Sequence, residues 1–230
     1  MINLKQFFNN HFATKEISDN SLKQFAEIHI QRLAAKNTGG QYNQIISDTT
    51  TVYDAYLSAI SDEDTKFAAQ QGRTINLMKI VDEFKQAVSQ KEGTIRGIWG
   101  VASKEYQEFF PYGITEYWAA HLSNIESLIT RFVNSAVLHQ ADLGAAFVDM
   151  FNVYKTNFAN ARSAQLLKMA EVVDAKTLSA QNRKALEIQL MKNINMLAIE
   201  FAGNVDEAMD FFNQSVLKNY RKKKTEIPIN

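Results

Sequence analysis

The chain of 230 residues contains no cysteine. This absence excludes disulfide bonds, thiolate-ligated metal or iron–sulfur centres, and a catalytic cysteine nucleophile. It also removes the usual indication of redox compartment, because a cysteine-free protein tolerates oxidising and reducing surroundings alike. Any site in this protein must therefore be built from histidine, carboxylate, hydroxyl, amide or apolar side chains.

Proline is almost as scarce, with only Pro111 and Pro228 in the sequence. Proline interrupts helices, so its scarcity leaves long stretches free to be helical. Apolar residues recur at intervals of three and four along most of the chain, which is the spacing of one helix face. The sequence therefore predicts an all-α fold, an antiparallel multi-helix bundle of about six or seven long helices with short connections.

The nine glycines form no phosphate-binding or nucleophile motif. A G-x-G-x-x-G pattern, a P-loop and a G-x-S-x-G elbow are all missing, so the usual routes to nucleotide binding and serine hydrolysis have no support. None of the four histidines follows a glutamate by three positions, as the ligand pairs of carboxylate-bridged di-metal bundles do. The sequence predicts no catalytic residue, no metal site and no cofactor, and it leans against an enzyme.

The histidines have structural interpretations. His29 lies on the apolar stripe of a predicted helix, which favours a buried histidine with one hydrogen-bonded ring nitrogen. His11 is expected at the surface. His139 and Asp142 flank a predicted turn, and two such residues are too few to indicate a metal site.

Long apolar runs are also missing. No stretch approaches the ~20 apolar residues of a membrane span. The N-terminal sequence MINLKQFFNNHF lacks the continuous apolar segment and the cleavage site of a secretory signal. A cytoplasmic location is therefore the expectation, with a mature chain whose leader has been removed as the alternative.

Charge is balanced overall but unevenly distributed. The 25 basic and 25 acidic residues give a net charge of zero. Residues 218–230 contain five basic residues against one acidic residue, a charge of +4, which leaves −4 on the rest of the chain. A mildly acidic body lacks the basic face of a nucleic-acid-binding protein, so no nucleic-acid partner is expected. The basic segment is interpreted as a solvated helix end, and membrane binding is not favoured.

The pattern divides the chain into three parts. Residues 1–17 form an N-terminal segment of uncertain structure, residues 18–217 a single helical bundle domain, and residues 218–230 a basic C-terminal tail. The strongest interior break in the helical rhythm falls at Pro111, which leaves a subdivision near that residue open. No similarity between the two halves supports a structural repeat.

Apolar stripes and their breaks predict the individual helices. Asp19 or Asn20 is expected to cap the N-terminus of the first predicted helix. Ser61 is expected to cap the third helix, and Thr115 the helix that follows Pro111. Gly93 is expected to separate two stripes, with one bent helix as the alternative. The predicted helices cover about 20–38, 42–60, 61–88, 95–109, 115–136, 143–173 and 191–212. The last carries a heptad seam, which predicts a neighbouring helix at a shallow crossing angle; the seam consists of Met191, Ile194, Ala198, Phe201, Val205, Ala208 and Phe212.

The densest aromatic cluster surrounds Pro111, in the sequence FFPYGITEYW over residues 109–118. Large rings at a helix corner usually serve packing, and this interpretation is favoured. The alternative is a recognition surface, because tyrosine and tryptophan are enriched in interface hot spots and loop tips often carry binding residues. The candidate interaction surface consists of Phe110, Pro111, Tyr112, Glu116, Tyr117 and Trp118.

Two functions remain in view from the sequence. The absence of catalytic motifs, the abundant aromatic residues and the heptad seam favour a non-enzymatic protein that acts in protein–protein interaction or assembly. Self-association or binding of a protein partner is then expected. The alternative is a bundle with an internal pocket that binds or converts an apolar small molecule, because large aromatic cores can hold such cavities.

Overall fold

A computed structural model describes residues 5–217 of the chain. All regular secondary structure in this range is helical, which confirms the all-α fold class. The basic tail, residues 218–230, lies outside the described residues. The α-helices are α1 (Lys5–Phe8), α2 (Asp19–Ala35), α3 (Asn43–Trp99), α4 (Lys104–Phe109), α5 (Thr115–Trp118), α6 (Ile125–Leu138), α7 (Gln140–Leu143), α8 (Ala145–Glu200) and α9 (Val205–Met209), and a 3-10 helix follows at Gln214–Leu217.

Two helices are much longer than the sequence pattern predicts. α3 runs without interruption for 57 residues and α8 for 56. The predicted helix start at Ser61 and the predicted separation at Gly93 are therefore wrong. A glycine costs a helix ~1 kcal/mol but keeps its N–H donor, unlike proline, so packing on either side of it can carry the helix through.

The chain folds as two compact units. Unit 1 comprises the residues up to Asp64 together with those from Asp174 onward, and unit 2 comprises residues 65–173. α3 and α8 each contribute one part of their length to each unit. Pro111 lies well inside unit 2.

Unit 1 has a core built on one face of α2. The helix begins after Ser18, whose side-chain oxygen accepts a hydrogen bond from the Ser21 N–H at 3.1 Å, so Ser18 rather than Asp19 or Asn20 is the cap. The apolar stripe of α2 is buried, as its spacing predicts. It packs against α3 and α8 in a cluster formed by Leu22, Phe25, Ala26, Tyr56, Leu186 and Leu190, together with Phe12 and Ile17 from the segment before α2.

The core of unit 2 is rich in aromatic rings. Phe84 of α3 is fully buried, and its ring centroid lies 6.1–6.2 Å from the centroids of four other rings. Three of these contacts are edge-to-face, a favourable arrangement for ring quadrupoles. The four partners are Tyr117, Phe132, Phe151 and Tyr154.

The predicted helix over residues 115–136 is interrupted. α5 has four residues and begins at Thr115, so Thr115 is not its cap. The chain then turns, with the Asn124 side-chain oxygen accepting a hydrogen bond from the backbone N–H of His121 at 2.8 Å, and α6 begins at Ile125. The later stripe residues of α6 are buried as expected, whereas Trp118 is 51% exposed.

The predicted helix over residues 191–212, with its heptad seam, is also wrong. α8 ends at Glu200, and Gly203 adopts a φ of +87° before the short helix α9 begins. The core positions at the end of α8 are Leu190, Asn193 and Leu197, each one residue before a predicted seam position. Asn193 is polar, so the spacing of apolar residues alone did not indicate this stripe.

No helix within residues 5–217 is long and apolar enough to cross a membrane. In the same range, no group of three or more histidine and carboxylate side chains is placed to hold a metal ion. His139, which the sequence placed near Asp142, instead has its Nε2 atom 2.6 Å from Glu108 Oε2.

Candidate functional site

The structure divides the candidate interaction surface around Pro111 into buried and exposed residues. Phe110 and Tyr117 are 1% and 0% exposed and belong to the core of unit 2, so neither can contribute to a contact surface. The Tyr117 hydroxyl donates a hydrogen bond to the Phe109 carbonyl at 2.8 Å, which satisfies its polar end. Pro111 is exposed, and Tyr112 and Trp118 are 78% and 51% exposed.

Glu116 has a structural partner. Its two carboxylate oxygens accept hydrogen bonds from the two terminal nitrogens of Arg131 on α6, and one of these bonds measures 3.2 Å. The Arg131 guanidinium also lies 5.6 Å from the centroid of the Tyr117 ring. This two-point pair fixes α5 against α6 and occupies the Glu116 carboxylate. The exposed part of the predicted surface is therefore limited to Pro111, Tyr112 and Trp118.

Unit 1 contains a different concave feature, a groove of about 520 Å³. It is bordered by the end of α8 and the segment that follows α8. Residues 11 and 12 and one residue of α2 complete its wall. We call it the apolar groove. Six of the seven residues of the predicted heptad seam line it, namely Ile194, Ala198, Phe201, Val205, Ala208 and Phe212.

The end of α8 explains why these residues line a groove. The positive φ of Gly203 lets the chain leave the helical path, since a residue with a Cβ rarely adopts this conformation. Asn204 then caps α9 by accepting a hydrogen bond from the Glu207 N–H at 3.3 Å. An apolar stripe that would lie on one side of a continuous helix is thereby divided between two elements that border the same space.

The segment after α9 is held in place by one face of α2. Arg32 donates hydrogen bonds to the carbonyl oxygens of Phe212 at 2.5 Å and Asp210 at 3.2 Å. Lys36 forms an ion pair with the Asp210 carboxylate at 3.0 Å. His29, Arg32 and Lys36 are spaced three and four residues apart, so their side chains lie on the same side of α2.

Beneath the groove lies a buried chain of polar side chains. His29, Thr49 and Asn193 are each 0% exposed and come from α2, α3 and α8. The Asn193 amide nitrogen lies 2.7 Å from the Thr49 hydroxyl oxygen and 3.1 Å from His29 Nε2. Thr49 donates to the Ile45 backbone carbonyl at 2.6 Å, and the Gln189 side-chain amide donates to the side-chain oxygen Oδ1 of Asn193 at 2.9 Å.

These contacts determine the protonation of His29. Its Nδ1 atom lies 2.9 Å from the Phe211 carbonyl oxygen, which can only accept, so Nδ1 carries the proton. Nε2 then accepts from Asn193, and the imidazole is neutral. Burial lowers the pKa of His29 to about 4, although the bond to Phe211 acts in the opposite direction. The predicted burial of His29 is confirmed, and both of its ring nitrogens have partners.

Aromatic contacts connect this polar chain to the groove. The His29 ring is stacked on Phe212 with centroids 4.5 Å apart, and Phe212 is stacked on Phe25 at 6.0 Å. Phe25 in turn contacts Phe12 at 5.3 Å. All three phenylalanines line the groove, so the position of its wall depends on the polar chain beneath it.

The groove has the chemistry of a site for an apolar molecule. No carboxylate, lysine or arginine lines it within the described residues, and its polar lining side chains there are His11 and Gln214. Aliphatic and aromatic side chains form the rest of the wall. Such a surface stabilises a ligand by removing apolar area from water.

Comparison of the chain with protein-family models, with curated proteins and with solved structures produced no match.

Proposed function

We propose that this protein binds an apolar small molecule in the groove of unit 1. The observation that carries the proposal is a cavity of about 520 Å³ whose wall contains no carboxylate, lysine or arginine among the described residues. Ligand pockets typically have volumes of about 300–1,000 Å³ and are lined by apolar and aromatic side chains with a few polar groups. The groove has this size and this composition.

The fixed position of the walls supports the proposal. The polar chain through Asn193 and the bonds from Arg32 hold the segment that carries Phe211 and Phe212. A preformed site avoids part of the entropic cost of ordering its walls when a ligand binds. Binding, rather than conversion, is proposed because the part of the lining that lies within residues 5–217 includes no paired acid and base and no activated nucleophile.

Protein–protein interaction is the second candidate function. Tyr112 and Trp118 favour it, because both are exposed in unit 2 and rings of this kind are enriched at the centres of interfaces. Their neighbours Phe110 and Tyr117 would support them from the core.

The groove proposal predicts that Ala198→Trp abolishes ligand binding. Ala198 lines the groove, so an indole at this position would fill part of the space that the ligand needs. Binding would be followed by the fluorescence of N-phenyl-1-naphthylamine, an uncharged dye whose emission rises in apolar surroundings. We expect saturable binding to the wild-type protein and at least about a tenfold higher Kd in Ala198→Trp.

Ala185→Trp is the matched control. Ala185 is exposed on the same helix and does not line the groove, so this variant should bind the dye like the wild type. Circular dichroism melting curves would verify that both variants are folded. The proposal is wrong if the wild-type protein shows no saturable binding, or if the two tryptophan variants bind the dye equally.

A further inference from the structure

The polar side chains that line the apolar groove lie at one of its ends. The groove extends along two hydrophobic clusters of unit 1, of which the first includes Phe12 and Leu217 and the second includes Phe201. His11 directly precedes Phe12, and Gln214 belongs to the same 3-10 helix as Leu217. Both polar side chains therefore lie at the end formed by the first cluster, which we call the polar end.

The opposite end of the groove is apolar. Among the described residues, Phe201, Gly203 and Val205 form it, at the turn where α8 ends. Ile194 belongs to the first cluster and Phe201 to the second, so α8 advances about 10 Å between the two clusters. The groove is thus elongated, with hydrogen-bonding side chains at one end and apolar side chains at the other.

The polar end offers hydrogen-bond donors. Gln214 is exposed at the edge of the groove, and its amide nitrogen carries two N–H donors. The imidazole of His11 carries at least one N–H in either protonation state. Since no carboxylate lines the groove within residues 5–217, these donors face a ligand without a neighbouring negative charge in the wall. The polar end therefore suits a head group that accepts hydrogen bonds.

Acidic residues lie near the apolar end. Glu200 is the last residue of α8, and Asp206 and Glu207 belong to the first turn of α9. A further acid, Asp210, is balanced by Lys36 at 3.0 Å. The unbalanced carboxylates disfavour an anionic group at this end of the groove, because like charges repel.

Basic residues follow the polar end in the sequence. Leu217 lines the groove and is bonded directly to Lys218. Residues 218–230, which lie outside the described residues, contain five basic residues against one acidic residue. Charge along the chain thus favours an anion at the polar end over one at the apolar end.

We propose that the groove takes an amphiphile with one anionic head group, a long-chain carboxylate, whose head lies at Gln214 and whose alkyl chain extends toward Val205. This inference rests on the proposed function of the groove. The alkyl chain is stabilised by the removal of apolar area from water. The carboxylate accepts hydrogen bonds at the polar end, and such bonds are stronger to an ionised acceptor than to a neutral one.

The proposal is tested by displacement of N-phenyl-1-naphthylamine from the full chain at neutral pH. Dodecanoate, dodecanol and dodecyltrimethylammonium share one alkyl chain and differ in the charge of the head group. Without a head-group site, dodecanol should bind most tightly, because moving a charge toward apolar surroundings costs free energy. We expect instead that the Kd of dodecanoate is at least about tenfold lower than the Kd of either other compound.

Gln214→Glu removes the amide donors and places a negative charge at the polar end. It should raise the Kd of dodecanoate at least about tenfold and leave the Kd of dodecanol nearly unchanged. The matched control is Gln31→Glu, because Gln31 is exposed, does not line the groove and lies about 200° from His29 around α2. This control should bind dodecanoate like the wild type, and circular dichroism would verify that both variants are folded.

Two results would overturn the assignment of the head group and leave the groove as a site for uncharged apolar molecules. One is a Kd for dodecanol equal to or lower than that for dodecanoate. The other is a folded Gln214→Glu protein that binds dodecanoate like the wild type. If neither the dye nor any of the three alkyl compounds binds to the wild-type protein, the proposed function of the groove is wrong as well.

Discussion

Asn193 connects the parts of unit 1 that form the apolar groove. Its side-chain amide contacts Thr49, His29 and Gln189. His29 in turn donates a hydrogen bond from Nδ1 to the Phe211 carbonyl. A buried polar group without a partner costs about 1–3 kcal/mol, so each member of this chain stabilises one particular placement of its neighbours. The segment that forms one wall of the groove is positioned by hydrogen bonds as well as by apolar packing.

The low pKa of His29 predicts that the protein loses stability in mild acid. In the unfolded chain this imidazole binds a proton near pH 6.5, whereas in the folded chain it does so only near pH 4. Between these values the unfolded state binds more protons, so the free energy of unfolding falls as the pH is lowered from 6.5 to 4. The loss should be on the order of 3 kcal/mol, measured by urea denaturation across this range.

His29→Gln is the control for this prediction. Glutamine cannot titrate, so the variant should be less stable at neutral pH but should show a flatter dependence of stability on pH between 6.5 and 4. A wild-type and a variant protein with parallel pH profiles would contradict the assignment of this effect to His29.

Sequence reasoning identified His29 as buried but missed its partners. The spacing of apolar residues around His29 was sufficient to place it in the core. Thr49 and Asn193 come from two other helices, and no local pattern reports which side chains meet across helices. A signal for Asn193 did exist, because Leu186, Leu190, Asn193 and Leu197 alternate four and three apart.

At the scale of elements, the glycines of the long helices and of the loops have opposite roles. Gly72 lies inside α3, and a Cβ added to it would have open space within 4 Å, so only its backbone entropy matters there. Gly203 also has open space around it, but its φ of +87° is one that other residues rarely adopt. One glycine weakens a helix, whereas the other allows a helix to end.

Alanine substitutions should therefore have opposite effects at these two positions. Gly72→Ala should raise the free energy of unfolding by up to about 1 kcal/mol, because alanine is the better helix former. Gly203→Ala should lower it by about 1–2 kcal/mol, because a Cβ is strained in the left-handed conformation. Urea denaturation of the two variants measures both values, and a neutral or stabilising Gly203→Ala would show that α8 does not end by this turn.

This difference also explains where the prediction of elements failed. Periodicity identified the helical fold and most of the buried stripe in α2 and α6. Composition alone does not distinguish a glycine inside a continuous helix, such as Gly93, from a glycine at which a helix ends, such as Gly203. The predicted seam consequently continued across a turn, and six of its seven residues border a groove instead of forming one side of a continuous helix.

At the scale of the whole molecule, each compact unit has its own unfilled apolar surface. In unit 1 this surface is concave and is lined by residues such as Ala198 and Phe201. In unit 2 it lies along the paired parts of α3 and α8 and includes Leu166 and Val173. A concave surface suits a small molecule, and the apolar groove of unit 1 is therefore the proposed ligand site.

Methyl chemical shifts during a titration with N-phenyl-1-naphthylamine test the central claim most directly. The methyl groups of Ile194, Leu197 and Val205 line the apolar groove, whereas those of Val81, Ile95 and Leu128 lie in the core of unit 2. We predict saturable shifts for the first set and none for the second, because ring currents from a bound dye reach only nearby methyl groups. Shifts confined to unit 2, or no shift at saturating dye, would contradict the account.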